Sequence, residues 1–183
     1  MNIGVIFAGG VGSRMRSKGK PKQFLEVHGK PIIVHTLEIF ENCSAIDATV
    51  VVCVSDWLTY MDELVLKFNL KKVKVIVPGG ETGQLSIFNG LEAAEKIASG
   101  QDDIVLIHDG VRPLINESVL EQNIETVKQS GSAITSVAAK ETVVLINENQ
   151  VIDEVVDRTR SYIAKAPQSF YLKDILEVER DAI

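Results

Sequence analysis

Short apolar, β-branched runs recur along this chain, and between them apolar residues return at helical spacing. The runs are Ile3 to Phe7, Thr49 to Val54, Lys74 to Val77, Ile104 to His108 and Ala133 to Ala138. Residues of this kind pack well on a pleated surface, so each run reads as a strand. The runs are nearly apolar throughout rather than alternating, which means that both of their faces must be covered. The segments between them supply the cover. Ile33, Leu37 and Phe40 follow Pro31 at the spacing of one helix face, as do Met61, Leu64, Val65 and Phe68, then Ile87, Leu91 and Ala94, then Leu120, Ile124 and Val127. Pro31 suits the first turn of a helix, and Thr59 with Asp62 and Ser118 with Glu121 have capping-box spacing. Strand–helix alternation of this kind predicts an α/β fold, a mainly parallel, Rossmann-like sheet with helices on both faces.

One segment breaks the alternation. From Glu141 to Arg160, Val143 to Ile146 and then Val151, Ile152, Val155 and Val156 flank the polar string NENQ and read as a β-hairpin. An apolar hairpin projecting from a finished sheet needs something to pack on. A second copy of the chain answers that need, and so does an edge hairpin folded onto its own domain. With 183 residues and no repeat or linker, 1–183 reads as a single domain with 139–160 as its arm.

Asp and Glu number 25 against 19 Lys and Arg, for a net charge of -6, and that balance disfavours binding to nucleic acid through a broad basic face. Cys43 and Cys53 fall in no CxxC or Cys/His spacing, which points to structural thiols rather than zinc ligands or a disulfide. The amino-terminal apolar run is far shorter than the roughly 20 residues of a membrane span. A soluble, cytoplasmic protein is expected.

Against this acidic background one stretch is cationic. Residues 8–23, AGGVGSRMRSKGKPKQ, place a glycine turn directly after the first strand and then Arg14, Arg16, Lys18, Lys20 and Lys22, with no acidic residue before Glu26. Glycines let backbone N–H groups approach an anion and the cations beyond them can hold a polyphosphate, so the segment reads as a nucleoside triphosphate site. It is not a Walker A loop, because no GxxxxGK followed by Ser or Thr exists here. It is not a dinucleotide fingerprint either, because Gly9, Gly10 and Gly12 run on into Ser13 and Arg14 rather than completing GxGxxG.

AGGVGSRM followed by KPKQF resembles the cytidylyltransferases of 2-C-methyl-D-erythritol 4-phosphate and ribitol 5-phosphate. PGGETGQLSIFNGL at 78–91, HDGVRP at 108–113, KET at 140–142 and VVDRTRSYIAKAPQSF at 155–170 continue the resemblance in the family's order. It implies transfer of CMP from CTP to a polyol phosphate with release of pyrophosphate, with Mg²⁺ on the phosphates and no protein metal ligand assigned. Arg14 and Lys22 match the catalytic cations. Phe7, Ala8, Gly9, Gly10 and Gly12 match the nucleotide loop, Gly80, Glu81 and Ser86 match the part that reads the cytosine through backbone groups and a hydroxyl, and Gly110 matches a position bordering the nucleotide. Asp109 and Arg112 match positions facing the phosphates and the second substrate. Thr142 and Arg158 match arm positions that reach the polyol phosphate of a neighbouring subunit, which implies a homodimer through 139–160. Arg16, Lys18 and Lys20 read as a solvated rim.

Each reading has a plain structural counterpart: Gly80 and Ser86 as a turn before a helix, Asp109 with Arg112 as an internal pair closing a loop, Arg158 beside Asp157 as a surface pair. His28, His35 and His108 are assigned no catalytic role. Two departures stand out. Gly83 occupies a position where the family usually carries Arg, and the family's later motif resembling GxxxNIKITTxxD does not occur in this sequence. The second departure leaves a fragment and a naturally short, catalytically impaired chain as expectations, so a non-catalytic nucleotide-binding or dimer-forming homologue is the alternative to the enzyme. Ser55-Asp56-Trp57 and the Val of HDGVRP look more like the ribitol 5-phosphate branch, of the kind used in teichoic acid or capsule synthesis, than the isoprenoid branch.

Overall fold

The computed structural model describes residues 1–8 and 20–183. Its centre is β1 (Asn2–Ala8), flanked in parallel by β4 (Ala48–Cys53) and by β6 (Ile104–Asp109), with β5 (Val73–Pro78) parallel beyond β4. The sheet is completed by β10 (Tyr162–Tyr171) and β7 (Ser132–Ala138), giving the order β5-β4-β1-β6-β10-β7. β10 runs antiparallel to both of its neighbours. A two-residue ribbon, β2 (Glu26–Val27) with β3 (Lys30–Pro31), stands apart from this sheet.

Helices cover both faces, as the apolar runs require. On one face Ile6, Ala8, Val51 and Leu106 pack with residues of α1 (Ile32–Asn42), α2 (Leu58–Lys67) and α4 (Glu117–Ser130). On the other, Ile3, Val5, Val50, Val52, Val105 and Ile107 pack with α3 (Gly83–Ile97) and α5 (Leu172–Ala182). Residues such as Ile33, Phe40, Leu91 and Met61 are fully buried, each contributing about 1.5–3 kcal/mol by leaving water. Gly4 is what lets Phe40 lie on the sheet, since a Cβ there would come within 2.7 Å of the Phe40 ring. Cys43 and Cys53 are buried free thiols. Burial pushes the Cys53 thiol up to about 11, so it stays protonated. No helix among the described residues is long and apolar enough to cross a membrane.

Several helix starts differ from expectation. Pro31 is the N-cap of α1 rather than its first residue. Neither capping box forms. α2 is preceded by the turn Ser55–Trp57 and begins from Trp57 with no side-chain cap, while α4 is capped by Asn116, whose Oδ1 accepts from the Val119 N–H at 3.1 Å. Ser118 instead donates its hydroxyl to that same Asn116 oxygen. Asn wins because its short amide reaches the N3 backbone from an extended residue just outside the helix.

β10 and α5 have no counterpart among the apolar runs. Ser169 of β10 is fully buried because its hydroxyl donates to Asn123 Oδ1 of α4 at 3.0 Å, and the Asn123 amide donates in turn to Thr135 Oγ1 of β7 at 2.9 Å. The β7–β10 pairing jumps from Ala164 to Gln168, so Pro167 sits in an irregular stretch where no ladder N–H is required.

The expected hairpin is present as β8 (Val144–Ile146) paired with β9 (Ile152–Val155), a two-stranded sheet separate from the main one. Its apolar residues are exposed, Ile146 by 58% and Ile152 by 60%.

Candidate active site

After β5 on one side of β1 the chain crosses to β6 on the other, so the crevice at the carboxyl ends of β1 and β6 is a topological switch point. Ligands of open α/β sheets bind at such a place, because the diverging connections leave it uncovered. Phe7 and Ala8 end β1 there, and Asp109 ends β6. The Gly110 N–H donates to the Phe7 carbonyl at 3.0 Å, and the buried Thr36 hydroxyl of α1 donates to the Gly110 carbonyl at 2.9 Å. A Cβ on Gly110 would lie 3.2 Å from Ile33 Cδ1 and 3.4 Å from the Phe7 carbonyl oxygen, so glycine holds the two strand ends flush.

Lys22 opens a short 3₁₀ turn, Lys22–Phe24, that is tied to the same place by its neighbour. The buried Gln23 amide donates to the Ala8 carbonyl at 2.6 Å. The sequence motif contained Gln23 but gave no reason for it. Its role emerges only when the end of β1 is seen beside it. Gly9, Gly10, Gly12, Arg14, Arg16 and Lys18 lie outside the described residues.

A second wall is the loop between β5 and α3. The Gly79 N–H donates to the Cys53 carbonyl at 2.8 Å, which hangs the loop from the end of β4. The Ser86 hydroxyl, buried on α3, accepts from the Gly80 N–H at 3.0 Å and donates to the Thr82 carbonyl at 2.9 Å. Thr82 caps the helix by accepting from the Leu85 N–H at 3.1 Å. Ser86 therefore shapes the glycine loop, the role its position at a helix start also suggested. Gly80 admits no side chain, since a Cβ would stand 2.4 Å from Leu85 Cβ. Glu81 is exposed. At Gly83 a Cβ meets nothing within 4 Å, so the departure from Arg reflects no packing demand.

The third wall is the turn after β6. Asp109 Oδ1 accepts from the Val111 N–H at 3.1 Å and Oδ2 accepts from Arg112 Nε at 3.3 Å, so the Asp–Arg pair does close the loop. Arg112 nevertheless stays 55% exposed. His108 is fully buried beneath this turn. Its Nε2 lies 3.1 Å from the Arg112 carbonyl, which only accepts, so Nε2 carries the proton. Nδ1 has no hydrogen-bond partner among the described residues. Burial holds the imidazole below its ordinary pKa, outweighing the Arg112 carbonyl and the Asp109 charge, so the ring is a neutral clamp.

Among the described residues Thr142 and Arg158 make no hydrogen bond to this crevice. Both are exposed at the base of the arm, where Arg158 Nη1 donates to the Lys140 carbonyl at 3.4 Å. Among the described residues no three His, Cys, Asp or Glu side chains are grouped to cage a metal ion. The chemistry of the crevice fits Mg²⁺ of the kind carried by a triphosphate, which keeps its waters and needs one or two carboxylates, Asp109 being at hand.

The model of the 2-C-methyl-D-erythritol 4-phosphate cytidylyltransferase family matches residues 3–182. A ribitol-5-phosphate cytidylyltransferase of Streptococcus agalactiae serotype V is 75% identical over 183 residues, covering 100% of this chain and 76% of the relative. One from Vibrio parahaemolyticus serotype O3:K6 is 56% identical over 182 residues, with 100% and 76% covered. Among solved structures, the 4-diphosphocytidyl-2C-methyl-D-erythritol synthase of Anaerococcus prevotii superposes with a TM-score of 0.83 at 27% identity, covering 99% of this chain and 74% of that one. With the switch-point crevice, its three walls and these likenesses together, the chain belongs to the 2-C-methyl-D-erythritol 4-phosphate cytidylyltransferase family.

Proposed function

We propose that this chain transfers CMP from CTP to ribitol 5-phosphate. The observation that carries the reading is the meeting of Phe7–Ala8, Gln23-anchored Lys22 and Gly110 at one strand end, with the Gly80 loop hung from the neighbouring strand. An oxygen of the acceptor phosphate attacks the α-phosphorus of CTP, and the bond to the bridging oxygen breaks so that pyrophosphate leaves with the electron pair. Negative charge builds on the α-phosphate and the leaving group, and a fixed cation there lowers the barrier. Lys22 and Arg14 are assigned to supply that charge, a reading supported for Lys22 by the anchoring of its turn through Gln23 to the end of β1. Gly80, Glu81 and Ser86 read the cytosine, Gly110 borders the nucleotide, and Asp109 and Arg112 face the phosphates and the second substrate. Mg²⁺ would be held by phosphate oxygens and Asp109, neutralising the triphosphate tail.

Ribitol 5-phosphate is preferred as acceptor because relatives from two distant bacteria, at 75% and 56% identity, carry that name. The acceptor is completed by Thr142 and Arg158 of a second copy, so 139–160 is a dimer arm. The exposed apolar residues of β8 and β9 support this, since such a face is costly to leave in water.

The test is pyrophosphate release from CTP and Mg²⁺ with each polyol phosphate. Ribitol 5-phosphate is expected to give the higher kcat/KM, and Lys22→Ala to lose about a hundredfold to a thousandfold in turnover with an unchanged melting temperature. CTP binding without release by the wild-type chain would favour the non-catalytic alternative, and wild-type turnover in the Lys22 variant would remove the assigned role.

A further inference from the structure

We propose that Trp57 is a positioning residue for Lys22, acting through the ring of Phe24. This rests on the reading of Lys22 as a cation on the triphosphate. Lys22–Phe24 is a turn of three residues with no side-chain cap, and among the described residues its backbone bonds are Phe24 N–H to Pro21 carbonyl at 3.0 Å and Leu25 N–H to Lys22 carbonyl at 3.2 Å. A 3₁₀ turn this short does not hold its own place, so its side chains must. Gln23 fixes one side through Ala8. Phe24 fixes the other, fully buried, its face stacked on Trp57 with centroids 4.9 Å apart and planes 20° apart.

Tyr60 locks the stack from the edge, 5.3 Å from Phe24 at 76° and 5.6 Å from Trp57 at 79°. Offset stacking and edge-to-face packing both have a preferred geometry that aliphatic contact lacks, so the trio fixes the tilt of Phe24 as well as its burial. Trp57 itself ends the turn after β4, at the carboxyl edge of the sheet but on a different element from Lys22. Lys20 is drawn away into the same cluster, its Nζ 5.6 Å above the Tyr60 ring and 3.9 Å from Glu26. The stack thus sets the angle at which the turn presents Lys22, and a displacement of about 1 Å at such a group can cost about a hundredfold in rate.

The test contrasts Trp57→Phe, which keeps a ring face, with Trp57→Leu, which keeps apolar bulk but no face. Both are measured alone and in the Lys22→Ala background, using labelled CTP and enough enzyme to read residual turnover. The phenylalanine variant is expected within about threefold of wild type. The leucine variant is expected to lose about tenfold to a hundredfold in kcat with KM for CTP changed less than about threefold, and to slow Lys22→Ala no further. Trp57 is the chain's single tryptophan, so its emission in the wild-type protein is expected to shift when CTP and Mg²⁺ bind. Equal losses in the two Trp57 variants, or the same leucine factor repeated without Lys22, would reduce Trp57 to ordinary packing and overturn the proposal while leaving Lys22 in its role. Wild-type turnover in Lys22→Ala would bring down both.

Discussion

Replacing Gly90 by alanine puts a methyl group where the structure has no room for one. Gly90 lies on the sheet-facing side of α3, and a Cβ there would stand 2.6 Å from Val5 Cγ1 and 2.7 Å from Val52 Cγ2. Favourable carbon–carbon contact begins near 3.5 Å, so each approach is short by about 0.8–0.9 Å. Neither valine can yield easily, because both are fully buried, β-branched and on adjacent central strands. The helix must lift instead. Overpacking of this kind costs about 1–3 kcal/mol, and two simultaneous clashes place Gly90→Ala at the upper end. Alanine's better helix propensity returns about 1 kcal/mol, leaving a net loss of about 2 kcal/mol. For a domain of this size that is a fall in melting temperature of about 4–8 °C.

The functional consequence follows from what else α3 carries. Ser86 is one turn earlier on the same helix and holds the Gly80 N–H, so a lifted helix drags the nucleotide loop with it. Gly90→Ala should therefore raise KM for CTP as well as lower stability. Thermal and urea unfolding of Gly90→Ala, Val52→Ala and the double variant checks the geometry, because removing the Val52 methyls relieves one clash. The double variant should be more stable than the sum of the singles predicts by about 1 kcal/mol. A Gly90→Ala protein as stable as wild type, or a strictly additive cycle, would refute the reasoning.

Gly83→Arg should fold as well as wild type or slightly better, since a side chain there meets open space, and should lower KM for CTP by up to about fivefold, the scale of one exposed charge contact. Because burial depresses the His108 pKa, the unfolded chain binds a proton below about pH 6.5 that the folded chain refuses. Stability should accordingly fall as pH drops from 7 towards 5, by at most about 1.4 kcal/mol per unit, and melting profiles of His108→Asn should lose that part of the slope. Ile146→Lys with Ile152→Lys, on paired positions of the exposed hairpin, should sediment as a single copy and lose pyrophosphate release while the main sheet keeps its circular dichroism. An unchanged sedimentation coefficient would remove the arm from the dimer contact.

The central strands were legible because β1, β4 and β6 are buried on both faces and so carry nearly unbroken apolar runs. α1, α3 and α4 were legible from their periodic faces. β10 was not, because its buried Ser169 is stabilised by Asn123 and Thr135 from two other elements, a polar network that no hydrophobic pattern can announce. α5 went unseen beside it. Thr82 and Asn116 are caps whose spacing the capping-box pattern did not match. At the site, the motif named Lys22 and Gly110, but the bonds that hold them, from Gln23 to Ala8 and from Thr36 to Gly110, join residues far apart in sequence.

The arm continues from β7 and β10, where the Ala139 N–H donates to the Ser161 carbonyl. The Lys22 turn, Gly80 and Gly110 are tied by hydrogen bonds to the ends of buried central strands or to the helix packed on them, whereas Thr142 and Arg158 stand on a solvent-facing appendage. On the proposed assignment of Thr142 and Arg158 to the acceptor, a change of polyol is to be sought first by randomising 140–160, where exposed side chains can vary without disturbing the buried sheet.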